Sequence, residues 1–196
     1  MNRAQAKTNV AKSIENSIAV KQRLLQDKDF LVLLNVVSTA MVDALQNGRK
    51  LLFMGNGGSA ADAQHLTAEF AGRYLRERRP LPAIALNVNT SSLTAISNDY
   101  SFDMVFARQL QALGAEGDVA VGLSTSGNST NILRAMEAAR DKRMITVGLS
   151  GASGGLLKER VDHCLCVPSR ETPRIQEAHI MIGHLLCEIV EDELFG

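Results

Sequence analysis

The sequence has little net charge, few cysteines and no long apolar run, and each shortage excludes a class of protein. Its 21 basic and 21 acidic side chains cancel, so nothing indicates a general nucleic-acid binder. No uninterrupted apolar run approaches the roughly 20 residues that span a membrane, and residues 1–21 lack the apolar core of a secretion signal. Three cysteines are too few for a disulfide framework. We therefore expect a cytoplasmic protein that binds neither nucleic acid nor membrane.

The chain does contain enough apolar material for one substantial core. Its 196 residues are 45% hydrophobic and carry no repeat or linker, so we expect a single domain over residues 1–196. The first 48 residues are predicted to form a helical pair, Val10–Leu25 and Phe30–Leu45, with Asp29 capping the second helix. Because this pair has no core of its own, it should pack on the remaining layers or on another subunit.

From Lys50 onward apolar strands alternate with helices, which indicates a parallel sheet covered on both faces. The predicted strands are Leu51–Met54, Ala83–Asn87, Val119–Leu123, Ile145–Leu149 and His163–Val167. The predicted helices are Ser59–Arg76, Thr90–Ile96, Phe102–Leu113, Thr130–Asp141, Gly155–Arg160 and Arg174–Leu194.

Two loops of small polar residues each follow a predicted strand and precede a helix. The first loop is Gly55-Asn56-Gly57-Gly58-Ser59, and the second loop is Ser124-Thr125-Ser126-Gly127-Asn128-Ser129. Such a loop directs backbone N–H groups and hydroxyls at one point, beside the positive end of the next helix. Either loop alone is equally compatible with an ordinary turn. Together they predict a pocket for a phosphate or another small anion, shared by both loops if their strands adjoin.

Side chains suited to acid–base or metal chemistry lie on two predicted helices. His65 and Glu69 share a helix face, where they can bind a divalent metal, act as an acid–base pair, or form an ordinary exposed pair. Gln176 and His184 can border one cavity on the last helix. The alternative for His179 or His184 is a core histidine that is hydrogen-bonded to a carbonyl.

Two other polar segments are less specific. Asn98-Asp99 is a turn-forming pair that either faces a polyhydroxyl ligand or caps the following helix. Cys164 and Cys166 share one face of a predicted strand while His163 points to the other, so we expect a packed thiol pair rather than a metal site.

The chain resembles the sugar isomerase (SIS) domain family, and within it the phosphoheptose isomerases, almost from end to end. Besides the two loops, the motifs that carry the resemblance are Asp62-Ala63-Gln64-His65 with Glu69, Gly72-Arg73-Tyr74, Ala95-Ile96-Ser97-Asn98-Asp99, and Arg174-Ile175-Gln176-Glu177-Ala178-His179 with His184. The serine-rich loop marks only the wider family. Its combination with His65, Glu69, Gln176 and His184 is far more specific.

This resemblance implies a fold, an assembly and a reaction. The fold is an α/β three-layer αβα sandwich around a five-stranded parallel sheet, with the N-terminal helical pair on the sheet layer and in an oligomer interface. The assembly is a homotetramer with sites between subunits. The reaction converts sedoheptulose 7-phosphate into glycero-manno-heptose 7-phosphate through an enediol. It is the first step of nucleotide-activated heptose biosynthesis, for the lipopolysaccharide core or a surface glycan.

The resemblance also implies roles for individual residues. Glu69 would be the base and His184 the partner acid, and one zinc ion per subunit would bind His65, Glu69, Gln176 and His184. Expected substrate contacts are Asn56, Gly57, Gly58, Glu69, Arg73, Asn98, Asp99, Ser124, Thr125, Ser126, Ser129 and Gln176, with the second loop on the phosphate and Arg73 a candidate to serve the neighbouring subunit. Some members carry Asp where this chain has Pro173, so no role for that carboxylate is transferred.

Other functions stay open at this point. A non-catalytic relative of the same fold associates with the replication initiator, although this chain retains both His65 and Glu69. Another isomerase would act on a shorter sugar phosphate, because phosphate recognition says little about carbon count. A sugar-phosphate-sensing transcription regulator would need an added DNA-reading domain, and the N-terminal helices show no basic recognition helix.

Overall fold

The computed structural model describes residues 3–196, with side chains from residue 9 onward. Its helices are α1 (Arg3–Gln26), α2 (Lys28–Gln46), α3 (Gly58–Ala71), α4 (Thr90–Asp99), α5 (Val105–Leu113), α6 (Thr130–Asp141) and α7 (Thr172–Phe195). Its strands are β1 (Leu51–Gly55), β2 (Ala83–Ala85), β3 (Val119–Ser124), β4 (Ile145–Ser150) and β5 (His163–Cys166). Two 3₁₀ turns, Phe102–Met104 and Gly155–Glu159, complete the order.

The five strands form one parallel sheet in the order β2-β1-β3-β4-β5. Leu51 lies opposite Ala83 on one side and Val119 on the other, so β1 is an inner strand although it comes first in the sequence. The chain goes from β1 to β2 at one edge of the sheet and then crosses back to β3, β4 and β5 on the other side. The direction of strand order therefore reverses between β1 and β3. In open parallel sheets, ligands bind beyond the carboxyl ends of the strands at such a switch point.

Alternate residues of each strand enter two separate cores. Leu51 and Phe53 pack in the core formed with α1, α2, α3 and α7, whereas Leu52 and Met54 pack in the core formed with α5 and α6. The strands are apolar at nearly every position because helices cover both faces. The predicted three-layer αβα sandwich around a five-stranded parallel sheet is confirmed.

The N-terminal pair packs as α1 and α2 against α7, and α2 also contacts the sheet. The cap of α2 differs from the prediction: the Asp27 carboxylate accepts the N–H of Phe30 at 3.0 Å, and Asp29 lies in the first turn. Among the described residues, α2 is also the helix that is long and apolar enough to cross a membrane. No membrane-spanning segment was predicted from the sequence. Its buried residues, including Leu34 and Met41, belong to the protein core.

Other boundaries also differ from the predicted ones. Helix α3 ends at Ala71, not Arg76, because the N–H groups of residues 74–76 donate to the Glu191 carboxylate instead of to helix carbonyls. Asn98 and Asp99 are not a turn but the last residues of α4, and Asn89 caps that helix through the N–H of Ser92. Strand β2 ends at Ala85. The segment after Gly154 is a 3₁₀ turn rather than an α-helix.

Candidate active site

The two polar loops lie side by side, because they follow the adjacent strands β1 and β3. Their junction is fixed by two amide hydrogen bonds of 2.9 Å between Asn56, in the first loop, and Asn131, in the first turn of α6. Asn87, two residues after the end of β2, donates to the carbonyl of Gly55 at 2.8 Å. The two loops therefore adjoin, which the sequence alone could not establish.

The second loop has the form expected of an anion receptor. Ser124 and Ser129 are joined by a hydroxyl hydrogen bond of 2.9 Å, and Ser129 precedes the first residue of the twelve-residue helix α6. Gly127 has a φ of 67°, and a Cβ there would lie 2.0 Å from the carbonyl oxygen of Gly154, so only glycine fits. The backbone can consequently wrap the loop around the helix N-terminus, where its N–H groups attract negative charge.

A cavity of about 240 Å³ opens beside the second loop. Thr125 and Ser126 line it from the loop, and Ser169 and Arg170 line it from the segment that follows β5. Arg170 lies outside the motifs from which the site was predicted. Its cationic side chain lies on the same cavity as two of the predicted phosphate contacts.

The structure brings His65, Glu69 and His184 together, although 119 residues separate the two histidines. The Nε2 atoms of His65 and His184 are 2.9 Å apart, and His65 Nε2 is 3.3 Å from Glu69 Oε1. The i,i+4 spacing on α3 sets the first pair of side chains, and the packing of α3 on α7 supplies the third. His65 is half-exposed, which leaves the cluster accessible from solvent.

These three side chains fit a divalent metal ion. Their ligand atoms lie within 4.8 Å of one another. Two imidazole nitrogens and a carboxylate oxygen are a donor set that Zn²⁺ accepts, with a further position left for another ligand. At a separation of 2.9 Å, the two Nε2 atoms need a hydrogen atom or a cation between them, because two facing lone pairs would repel each other.

Gln176 lies against the start of α3. A Cβ on Gly58 would be 2.5 Å from Gln176 Nε2. Glycine at position 58 thus lets the amide of α7 approach the first loop. The contact links Gln176 to the same pair of helices that carries the histidine–glutamate cluster.

Two side chains next to the cluster, Tyr74 and Asp62, were not among the predicted site residues. The ring of Tyr74 lies 5.7 Å from that of His184, centroid to centroid. Asp62 has a buried carboxylate oxygen without a hydrogen-bond partner in the described part of the chain. Burial raises the pKa of Asp62, and the nearby His65 opposes that shift. Both residues lie in motifs that carry the family resemblance, and membership in those motifs could have identified them from the sequence.

The remaining predicted residues are placed differently. His179 is fully buried, with Nε2 3.2 Å from the carbonyl oxygen of Ser150, so it is the core histidine that the sequence allowed. Arg73 is exposed just after α3. Asn98 donates to Asp99 at 2.9 Å at the exposed end of α4, and no hydrogen bond in the described residues joins this pair to the cluster.

Comparison with known proteins agrees with this geometry. A sequence model of the SIS domain matches residues 28–151. The chain is 54% identical over 181 residues to phosphoheptose isomerase 2 of Campylobacter jejuni, covering 92% of this chain and 90% of that protein. The solved phosphoheptose isomerase of Neisseria gonorrhoeae superposes with a TM-score of 0.88 at 42% identity, over 95% of this chain and 99% of that one. That of Francisella tularensis superposes with a TM-score of 0.91 at 39% identity, over 95% and 98%. The chain therefore belongs to the SIS-domain family and, within it, to the phosphoheptose isomerases.

Proposed function

We propose that the protein is an intramolecular oxidoreductase that converts D-sedoheptulose 7-phosphate into D-glycero-D-manno-heptose 7-phosphate. The high identity to phosphoheptose isomerases along nearly the whole chain supports this. The observation that carries the proposal is the cluster of His65, Glu69 and His184, built on the helix that starts in the first loop. A ketose–aldose isomerisation needs a proton carrier held beside an anchored sugar phosphate.

The second loop would anchor the phosphate. Backbone N–H groups at the start of α6 and the hydroxyls of Ser124, Thr125, Ser126 and Ser129 would surround the anion. The adjoining first loop, with Asn56, Gly57 and Gly58, would then face the carbon chain, together with Gln176. Arg73, Asn98 and Asp99 complete the proposed contacts on the resemblance alone.

The chemistry would occur at C1 and C2 of the open-chain sugar. Glu69 would remove a proton from C1, which gives a cis-enediol, and protonation at C2 would then give the aldose. His184, 2.9 Å from His65, would act as the partner acid. Proton transfers by placed groups of this kind contribute typically about 10²–10⁴-fold to the rate.

His65, Glu69, Gln176 and His184 would hold one zinc ion per subunit. Bound zinc would polarise an oxygen of the substrate. Glu69 is proposed both to bind metal and to move a proton, so its two roles must be separated by experiment. Gln176 approaches from α7 as an uncharged ligand that does not compete for the proton.

We also propose a cytoplasmic homotetramer with the N-terminal helices in its interface. Helix α1 leaves Val10, Ile14 and Leu25 exposed at 61%, 56% and 72%, and α2 leaves Val32 exposed at 63%. A row of apolar side chains on two neighbouring helices is typical of a surface covered by another subunit. The molar mass in solution, measured by light scattering, tests the assembly.

The decisive experiment incubates the purified protein with sedoheptulose 7-phosphate and follows the aldose product. Glu69→Gln keeps the size of the side chain but removes the base, so turnover should fall by about 10²–10⁴-fold. Glu193→Gln, which removes an exposed carboxylate on α7, is the control and should keep full activity. Zinc content is measured for each variant. A Glu69→Gln variant that turns over at the wild-type rate contradicts the proposed base.

The same assay separates the alternatives. No aldose from any ketose phosphate would favour the non-catalytic binding protein. Preferential turnover of a pentose or hexose phosphate would favour another isomerase. The first outcome would contradict the enzyme, and the second only its substrate.

A further inference from the structure

A pair of thiols lies at the free edge of the sheet, outside the candidate active site. Cys164 and Cys166 are on β5, which pairs only with β4 in the described sheet. Their Sγ atoms are 3.7 Å apart. The spacing of two residues on a strand places both side chains on one face, and Gly148 on β4 leaves room beneath Cys164 Sγ. Both cysteines are partly exposed.

The surroundings favour a thiolate at one of the two positions. The hydrogen bond between the two sulfur atoms and the positive charge of Lys158 outweigh burial and lower the pKa of Cys166 to about 7. The same hydrogen bond raises the pKa of Cys164, which stays a neutral thiol. This is the arrangement of an attacking thiolate beside a second thiol that can resolve the product.

We propose that Cys164 and Cys166 are a reversible oxidation site that forms an intramolecular disulfide with hydrogen peroxide. The Cys166 thiolate attacks one peroxide oxygen, which breaks the O–O bond and gives a sulfenic acid and, after protonation of the leaving hydroxide, water. The Cys164 sulfur then attacks the sulfenic sulfur, forms the S–S bond and releases a second water with its own proton. Two thiols are oxidised and one peroxide is reduced.

The bond requires a local bend of β5, because the Cβ atoms of two parallel side chains on one strand must approach to about 3.5–4.5 Å. Two residues along a strand advance the chain by about 6.6 Å, near the upper limit of about 6.8 Å between the Cα atoms of bridged cysteines. Edge strand β5 has no second neighbour in the described sheet to resist a local adjustment. A bond at this limit is readily reduced again, which suits a transient disulfide in a reducing compartment.

The third cysteine provides an internal control. Cys187 lies in the core on α7 and is 3% exposed. Burial raises the pKa of Cys187, so this thiol should react with neither peroxide nor an alkylating reagent in the folded protein. It becomes reactive only after denaturation.

The experiment treats the native protein with hydrogen peroxide, alkylates it under denaturing conditions and maps tryptic peptides by mass. The peptide 161–170 contains both thiols. We expect it to lose the mass of two hydrogen atoms and to escape alkylation, while Cys187 is alkylated, and dithiothreitol should reverse the change. Alkylation of all three cysteines after peroxide, or disulfide-linked dimers through Cys164 or Cys166, would overturn the proposal.

Two variants sharpen the assignment. Cys164→Ser should leave a Cys166 sulfenic acid that dimedone captures, whereas Cys166→Ser should leave Cys164 unmodified by the same dose. Cys187→Ser is the matched control and should form the disulfide as the wild type does. Equal dimedone capture in the two single variants contradicts the order of attack. None of these measurements depends on isomerase activity.

Discussion

Two histidines one turn and a fraction apart on α7 have opposite environments. His184 faces α3 and meets another imidazole, whereas His179 faces the sheet and is fully buried beneath Ser150. With Nε2–H donating to the Ser150 carbonyl, Nδ1 keeps a lone pair and has no hydrogen-bond partner in the described residues. Protonation would place an N–H at that site without an acceptor. Burial accordingly lowers the pKa of His179 to about 4, although the Ser150 carbonyl opposes the shift.

This histidine should make the stability of the protein depend on pH. Between the unfolded pKa of about 6.5 and the folded pKa of about 4, the unfolded chain binds the proton and the folded one does not. The free energy of unfolding should therefore decrease as the pH falls through this window, by up to roughly 3 kcal/mol from this group. His179→Gln keeps a donor for Ser150 but does not titrate.

Chemical denaturation at several pH values between 4 and 7 measures the effect. The slope of stability against pH should be smaller in His179→Gln than in the wild type. Parallel curves for the wild type and His179→Gln would show that this group carries no pH dependence.

At the scale of elements, the sequence predicts what local patterns determine. The strands could be predicted because each is a continuous apolar run such as Leu51–Met54. The runs are continuous because helices cover both faces of the sheet. The position of Asp27 as cap and the end of α3 at Ala71 were missed. Asp27 and Asp29 are both good caps, and only the chain path selects one. The end of α3 depends on a carboxylate more than 110 residues away.

The contact between the first loop and α7 can be tested by adding a single methyl group at Gly58. A Cβ at Gly58 would meet the flexible end of Gln176, so Gly58→Ala should displace that amide and leave the fold intact. We expect kcat/KM for sedoheptulose 7-phosphate to fall by about tenfold, since a good hydrogen bond or ligand contact is worth roughly 1–2 kcal/mol.

A double-mutant cycle identifies the route of this effect. If Gly58→Ala acts through Gln176, it should cost little more in a Gln176→Ala background. The thermal midpoints should remain within a few degrees of the wild type. Additive losses in the double variant would contradict action through Gln176 and point to the loop backbone instead.

At the scale of the whole molecule, a buried ion pair joins the segment after α3 to the C-terminal part of α7. Arg78 and Glu191 are 2.9 Å apart, and each side chain is 2% exposed. The Glu191 carboxylate also accepts backbone N–H groups of Tyr74, Leu75 and Arg76, and Arg78 donates to the carbonyl of Glu69. This group of contacts holds the segment after α3, including the Tyr74 ring beside His184. No local pattern predicts it, because the partners are far apart in sequence and each alone is typical of a surface.

Removing this carboxylate should be costly for stability. Loss of one partner from a buried pair typically costs about 3–5 kcal/mol, because the other charge stays buried without compensation. Glu191→Gln should therefore lower the free energy of unfolding at pH 7 by about that amount, and its amide would also direct N–H toward backbone donors. Asp192→Asn, which removes the exposed partner of Arg76, is the control and should cost no more than about 1 kcal/mol.

The difference between the Glu191→Gln variant and the wild type should itself depend on pH. Burial raises the pKa of Glu191, but hydrogen bonds from Leu75, Arg76, Tyr74 and Arg78 outweigh it, so its folded pKa lies below the ordinary value. The ionised carboxylate thus stabilises the fold fully above the unfolded pKa of about 4.3, and this contribution disappears as the pH falls through the folded pKa. Denaturation of both proteins should give curves that converge in acid. If they stay equally far apart down to acid unfolding, Glu191 stabilises the fold by its shape and not by its charge.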